Sequence, residues 1–277
     1  MDHKIKLIGF DLDGTLLTSD KRISDITRKT LEAAIAQGVV LVPATGRPLS
    51  GVPKELLDFP GIRYVVTANG ARVLDIVDGK TMTEVLLPKE KCGQILTIFE
   101  KYDTFREIYY DGIGYVDRDR LENVEKYQND PAMQKYFRET RRPIESTRDR
   151  FEAEEGGMDK IQALFHRMED KDAAWKEICE SVPDVEITGA LSNNIEVNAR
   201  GIHKGNALLM LGELLHIKKE EIMAFGDGKN DIKMLETVGT GVAMANSVPE
   251  VLAAADMVTA SNDEDGVAQM IERFVLV

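Results

Sequence analysis

Several short apolar runs in this chain stop abruptly at polar, chemistry-bearing residues, and that pattern constrains the fold more than any bulk property. LIGF (Leu7 to Phe10) runs straight into DLDGT. VVLVPAT (Val39 to Thr45) ends against Gly46 and Arg47, YVVTANG (Tyr64 to Gly70) ends in polar residues, and EIMAFGDGKND (Glu221 to Asp231) runs into a second acidic turn. Continuous apolar runs of this length suit strands buried on both faces of a parallel sheet. Helix patterns lie between them. Ser24 offers an N-cap to a helix with apolar Ile26, Leu31, Ala34 and Ile35, stopped at Gly38. A second helix is predicted from about Leu49 to Leu57, and Lys204 opens a third with Ala207, Leu208, Leu211 and Leu215 on one face. Strands alternating with helices predict an α/β fold, a doubly wound parallel, Rossmann-like sheet.

The texture changes in the middle. ARVLDIVDGKTMTEVLL reads as a hairpin around Asp78-Gly79. From Pro88 to about Ser192 the chain mixes helical and extended patterns, holds the only tryptophan, Trp175, and contains a basic run broken by acids, RETRRPIESTRDR (Arg138 to Arg150). That run reads as a solvated face or linker. The α/β rhythm is expected to return with NIEVNA, GTGVAMAN and ADMVTA as further short strands. The predicted division is therefore 1–86 and 193–277 as one α/β domain, interrupted by an inserted α+β domain at 87–192.

Bulk properties exclude some functions. With 43% hydrophobic and 30% charged residues in 277, this is the composition of a soluble globular chain with a sizeable core. A formal net charge of −13 repels polyphosphate backbones and argues against nucleic acid as a partner, although a small anion could still be bound locally. No run approaches a membrane span or a signal-peptide core, so the expectation is a cytoplasmic protein without a membrane partner. Cys92 and Cys179 lie far apart with no metal-ligand pattern and read as reduced core thiols.

Candidate functional residues sit at the predicted strand ends: Asp11 and Asp13; Thr45 with Gly46 and Arg47; Lys204 before its helix; and Asp227, Asn230 and Asp231. Each has an ordinary structural reading, such as an Asp-Gly turn, a capping threonine, a solvated lysine or a glycine-rich turn. In an open parallel sheet, however, ligands bind outside the carboxyl ends of the strands, and all of these would share that edge. Lys204 opposes the helix dipole where it stands, which makes sense if an anion sits between them.

FDLDGTL, ATGR, the lone Lys204 and GDGKND resemble the four motifs of the haloacid dehalogenase superfamily of phosphohydrolases. The insert, and the phrases VVTANGA, IEV…HKG and GVAMANS, resemble the Cof-type subgroup with its class IIB cap. The resemblance implies a phosphatase that works through an aspartyl phosphate with Mg2+. Asp11 would be the nucleophile and Asp13 the acid–base. Asp11, Asp227 and the Asp13 backbone carbonyl would ligate the metal. Thr45, Gly46, Lys204, Asn230 and the Leu12 amide would hold the phosphoryl group, Asp231 would support Lys204 or a metal-bound water, and Arg47 would be an additional substrate contact. The expected partner is a small phosphate monoester, such as a sugar phosphate or phosphorylated cofactor, taken by a monomer or homodimer.

The cap would choose the substrate. Arg141, Arg142 or Lys160 could meet a second anionic group there, with surface solvation the expected fate of each. A phosphomutase or other phosphotransferase shares the four motifs, and a binding-only protein on the same scaffold remains an alternative. A dehalogenase would not need the acid at Asp13, and the missing spans exclude a P-type pump.

Overall fold

A computed structural model describes residues 4–276. The chain divides into two compact units: residues 4–46, 53–83 and 203–276 form the first, and residues 47–52 and 84–202 the second.

In the first unit, β1 (Leu7–Phe10) is buried throughout, and β2 (Val40–Pro43) runs parallel to it. The helix Asp25–Ala36 joins them. Its Ser24 side chain accepts the Thr27 amide at 3.0 Å, and Gly38 follows its end at φ +83°. Ile26, expected to face inward, is exposed, because the buried stripe runs through Thr27, Thr30, Leu31 and Ala34 instead. The helix predicted from Leu49 to Leu57 is broken into a turn at Leu49–Gly51 and a single helical turn at Lys54–Leu57. Pro53 explains the break: its ring disfavours helical geometry at the residue before it.

β3 (Tyr64–Thr67) lies beside β2 through one parallel bridge, Ala44 to Val66, and pairs antiparallel with β4 (Arg72–Asp75), which neighbours β5 (Lys80–Glu84) across the turn at Gly79.

The second unit is built on a six-stranded sheet. Its members are β6 (Thr104–Tyr110), β7 (Ile113–Asp117), β8 (Arg142–Ile144), β9 (Lys160–Phe165), β10 (Val185–Thr188) and β11 (Asn194–Ala199), in the order β10-β11-β9-β6-β7-β8. Alternation divides its two faces. Ile108, Ile161 and Val197 pack with Ile95, Phe99 and Ile178 of the helices Lys89–Phe99 and Met168–Ser181, whereas Glu107, Lys160 and Glu196 take the other face. NIEVNA, expected to rejoin the α/β domain, is β11 of this sheet, antiparallel to β9, and the chain leaves the unit only after Ile202.

The buried cations of this unit overturn a sequence expectation. Arg141 is not solvated: its guanidinium pairs with the fully buried Glu107 carboxylate and lies 4.8 Å over the Tyr136 ring. Lys160 is likewise buried, 3.0 Å from Glu196. A buried cation needs a partner, and the strand period of two places acids on the same face. Only Arg142 of the three is exposed. Cys92 is a core thiol, but Cys179 is exposed, being on the outer side of its helix.

Back in the first unit, β12 (Ile222–Gly226), β13 (Thr240–Ala243) and β14 (Met257–Val258) complete an all-parallel sheet in the order β14-β13-β12-β1-β2. Phe10 pairs with both Phe225 and Pro43, so β1, β2 and β12 finish level at one edge. The helix Lys204–Leu214 buries Ala207, Leu208 and Leu211 against this sheet. Gly9 makes room for it, since a Cβ there would lie 2.3 Å from a Leu208 methyl.

Candidate active site

The level strand ends put Asp11 directly after β1, Thr45 two residues after β2 and Asp227 directly after β12. Lys204 is the first residue of its helix and fully buried; His203 caps that helix. The Lys204 ammonium reaches across to donate to Asp11 Oδ1 at 2.5 Å and to Asp231 Oδ1 at 2.7 Å. Residues 193 and 27 positions apart in sequence are thereby joined by a single side chain.

Asp231 is a buttress. Its second oxygen accepts the amides of Asp227 at 3.1 Å and Gly228 at 3.0 Å, folding the GDGKND turn around it. Asp227 Oδ1 accepts the Thr15 hydroxyl at 2.6 Å, and its Oδ2 lies so close to Gly14 that a Cβ there would approach to 2.4 Å. Gly14 also has φ +80°, so both its freedom and its lack of side chain are used. Asn230 sits in the same short turn as Asp231.

Thr45 is buried; its amide donates to Val66 O at 2.9 Å and its carbonyl accepts the Asn69 amide at 3.0 Å. Ala68 and Asn69 both adopt positive φ, turning the TANG segment back towards Thr45. Leu12 is buried, its carbonyl accepting the Leu17 amide at 2.9 Å, and Gly46 follows Thr45 in the same unit. Asp13 is half-buried and pairs with the Lys21 ammonium at 2.8 Å. Arg47 belongs to the second unit, where its guanidinium donates to Gly51 O at 2.9 Å and stacks 4.4 Å over Tyr136.

Charge is unbalanced here. Oxygens of Asp11, Asp227 and Asp231 lie within 4.8 Å of one another, and among the described residues the ion pairs seen to these three acids come from the Lys204 ammonium, to Asp11 and Asp231. Burial pushes Asp11 up to about 7; Lys204 opposes the rise, while Asp231, Asp227 and Asp13 add to it. Burial likewise raises Asp227 to about 6, against the Thr15 hydrogen bond. Burial acts to lower Lys204, but Asp11 and Asp231 outweigh it and hold the ammonium charged. Hard carboxylate oxygens with surplus negative charge fit a hard dication.

The family model for haloacid dehalogenase-like hydrolases matches residues 8–271. The chain belongs to that family. It is 32% identical to phosphatase YwpJ of Bacillus subtilis over 288 residues, covering 98% of this chain and 100% of that one. It is also 32% identical to YcsE of the same organism, a 5-amino-6-(5-phospho-D-ribitylamino)uracil phosphatase, covering 99% and 98% of the two. Among solved structures, a haloacid dehalogenase-like hydrolase from B. subtilis superposes with a TM-score of 0.85 at 32% identity, covering 98% of this chain and 100% of that one. The subclass IIB sugar phosphatase BT4131 superposes at 0.84 with 29% identity, covering 97% and 98%. The protein is therefore a haloacid dehalogenase-superfamily enzyme of the phosphatase type, with the Rossmann-like sheet its sequence predicts. Among the described residues, no helix is long and apolar enough to cross a membrane.

Four side chains around this haloacid dehalogenase site were absent from the sequence-derived set: Thr15, Lys21, Asn246 and Asn262. Thr15 stands inside FDLDGTL and Asn246 inside GVAMANS, so both had a motif to mark them. Lys21 and Asn262 had none.

Proposed function

We propose that this haloacid dehalogenase-family phosphatase is a Mg2+-dependent hydrolase of small phosphate monoesters that works through an aspartyl phosphate on Asp11. The observation that carries the reading is the cluster of Asp11, Asp227 and Asp231, the first and last buried and joined by Lys204, at the carboxyl edge of a parallel sheet.

The Asp11 and Asp227 carboxylates, with the Asp13 backbone carbonyl, would hold Mg2+. Asp231 supports from behind, its oxygens engaged by Lys204 and two amides. When bound, the cation neutralises the charge that otherwise keeps a phosphoryl dianion from an anionic nucleophile. Asp11 attacks phosphorus and the leaving group departs. Asp13 gives that group a proton, then takes one from the water that hydrolyses the aspartyl phosphate. Lys204, the Thr45 hydroxyl, the Leu12 and Gly46 amides and Asn230 hold the phosphoryl oxygens as charge develops on them. Lys204 starts between Asp11 and Asp231, so its position is set before substrate arrives.

The second unit would choose the leaving group, with Arg47 as a further contact. The named substrates of relatives, a sugar phosphate and a ribitylaminouracil phosphate, support a phosphorylated polyol or sugar here. Arg141 and Lys160 are each already matched by a carboxylate, which argues against a second phosphate on the substrate.

The test is hydrolysis of p-nitrophenyl phosphate by the wild type and Asp11→Asn, with Mg2+ and with EDTA. Activity that needs both Asp11 and the metal is expected; wild-type turnover in Asp11→Asn would overturn the assignment.

A further inference from the structure

The turn after the two acids is pinned from outside the motif. Thr18 N donates to Arg22 O at 2.9 Å and Lys21 N to Thr18 O at 2.8 Å, closing a tight loop in which Lys21 sits at φ +61°. Glycine or asparagine is the low-cost choice for that conformation, and a lysine there draws attention to its side chain. The loop is fastened to residues more than 220 positions away. Ser19 gives its amide and hydroxyl to the two Asp263 carboxylate oxygens, at 2.8 and 2.6 Å. Asn246 Nδ2 donates to Gly14 O at 2.8 Å and Asn262 Nδ2 to Leu17 O at 2.9 Å, while Asn262 N donates to Asn246 Oδ1 at 3.1 Å. The held loop places Lys21 Nζ 2.8 Å from Asp13 Oδ1.

We propose that Lys21 is a positioning residue for Asp13: its ammonium, 2.8 Å from Oδ1, fixes the orientation of that carboxyl, and Asn246, Asn262 and Asp263 hold the turn that presents it. The inference rests on the phosphatase reading above. An ammonium is a donor only, so the carboxyl oxygen facing it accepts, and that contact fixes the rotation of the Asp13 side chain. In the first half-reaction an Asp11 oxygen bonds to phosphorus, the phosphorus–leaving-group bond breaks, and the carboxyl O–H bond of Asp13 breaks to deliver its proton to the departing alkoxide. In the second, water attacks phosphorus and one of its protons returns to the Asp13 carboxylate. The remaining O–H stays on the phosphate, and Asp11 leaves as a carboxylate.

A proton donor matters most when the leaving group is strongly basic. An alkoxide needs the proton, whereas p-nitrophenolate departs with little help. The experiment compares kcat/KM, which reports the first phosphoryl transfer, for p-nitrophenyl phosphate against ribose 5-phosphate, glucose 6-phosphate and glycerol 1-phosphate. Wild type, Lys21→Met and Lys21→Arg are measured, with Asp13→Asn as the reference for a lost acid. Lys21→Met should shift the alkyl-to-aryl ratio about fivefold towards the aryl ester, the size of a half-exposed ion pair, and Lys21→Arg should restore it. An unchanged ratio, whether activity holds or falls equally on both esters, overturns the inference, as does a shift that Lys21→Arg leaves in place. If Asp13→Asn shows no shift of its own, the acid–base assignment falls with it; if Asp11→Asn turns over, the phosphatase reading itself fails.

Discussion

Lys204 does at the residue scale what no neighbour could replace. Among the described residues, its ammonium is the one positive group seen bonded to both Asp11 and Asp231, and it is fully buried. Lys204→Met keeps the apolar stem but leaves two buried carboxylates without their cation. Removing one partner of a buried pair costs about 3–5 kcal/mol, and Tm should fall by roughly 10 °C for a chain of this size. Calorimetry checks it, and a change within about 2 °C would contradict the arrangement. Asp11 and Asp227 make a second prediction. Their folded-state values, about 7 and about 6, lie above the usual 3.8, so in EDTA both bind protons more tightly folded than unfolded. The stability they contribute is fully present below about pH 4 and is lost as pH rises through 6 to 7. Asp103, whose burial is outweighed by hydrogen bonds from Lys126, Tyr127 and Arg120 that hold it low, has the opposite sign, but its contribution is lost only as pH falls below the usual carboxylate range and is constant between pH 5 and 8. Tm in EDTA should therefore fall from pH 5 to pH 8. Asp11→Asn should flatten the slope, and Mg2+ should restore more stability at pH 8 than at pH 5. A Tm that rises with pH in EDTA would refute this.

At the element scale, the strand-to-turn junctions were the legible part. Where an apolar run is buried on both faces, composition alone marks it, and the first polar residue marks its end; β1 and β12 end directly before Asp11 and Asp227, and β2 ends two residues before Thr45. The Lys204 helix was legible for the same reason, its buried residues being helix-spaced. Illegible were features set by distant partners. Nothing near Arg141 in sequence announces Glu107, 34 residues away, and nothing near Lys21 announces the asparagines and aspartate that hold its turn. β11 misled because a strand with buried, alternating Ile195 and Val197 reads the same in either unit; only its pairing with β9 assigns it. Gly14 lies at the junction where local and distant demands meet. Gly14→Ala would force a Cβ against Asp227 at a positive φ, so the turn or the carboxylate must shift. The expected result is about 1–3 kcal/mol of strain with a raised Mg2+ requirement, read as the metal concentration for half-maximal rate. A wild-type metal requirement would show that Asp227 is not held by this contact.

At the scale of the whole molecule, each unit has its own apolar core, so stability is not one number. The first is built around Leu7, Val42, Leu208 and Ala224, the second around Phe99, Ile108, Ile161 and Val197. Proteins of more than one domain commonly depart from all-or-none unfolding, and local opening follows the weaker region. Glu107 offers a way to see this. It accepts from the Arg141 guanidinium and the Gln162 amide, all three buried in the second unit. Glu107→Gln nearly preserves shape but strands a buried guanidinium, at a cost of about 3–5 kcal/mol. Because its partners lie on β6, β9 and the segment before β8, amide exchange should speed up in those strands. β1, β12 and the Asp25–Ala36 helix should exchange as in the wild type, and Mg2+ should slow exchange around Asp11 and Asp227 equally in both proteins. Uniform acceleration along the chain would mean instead that the two cores open together as one cooperative unit.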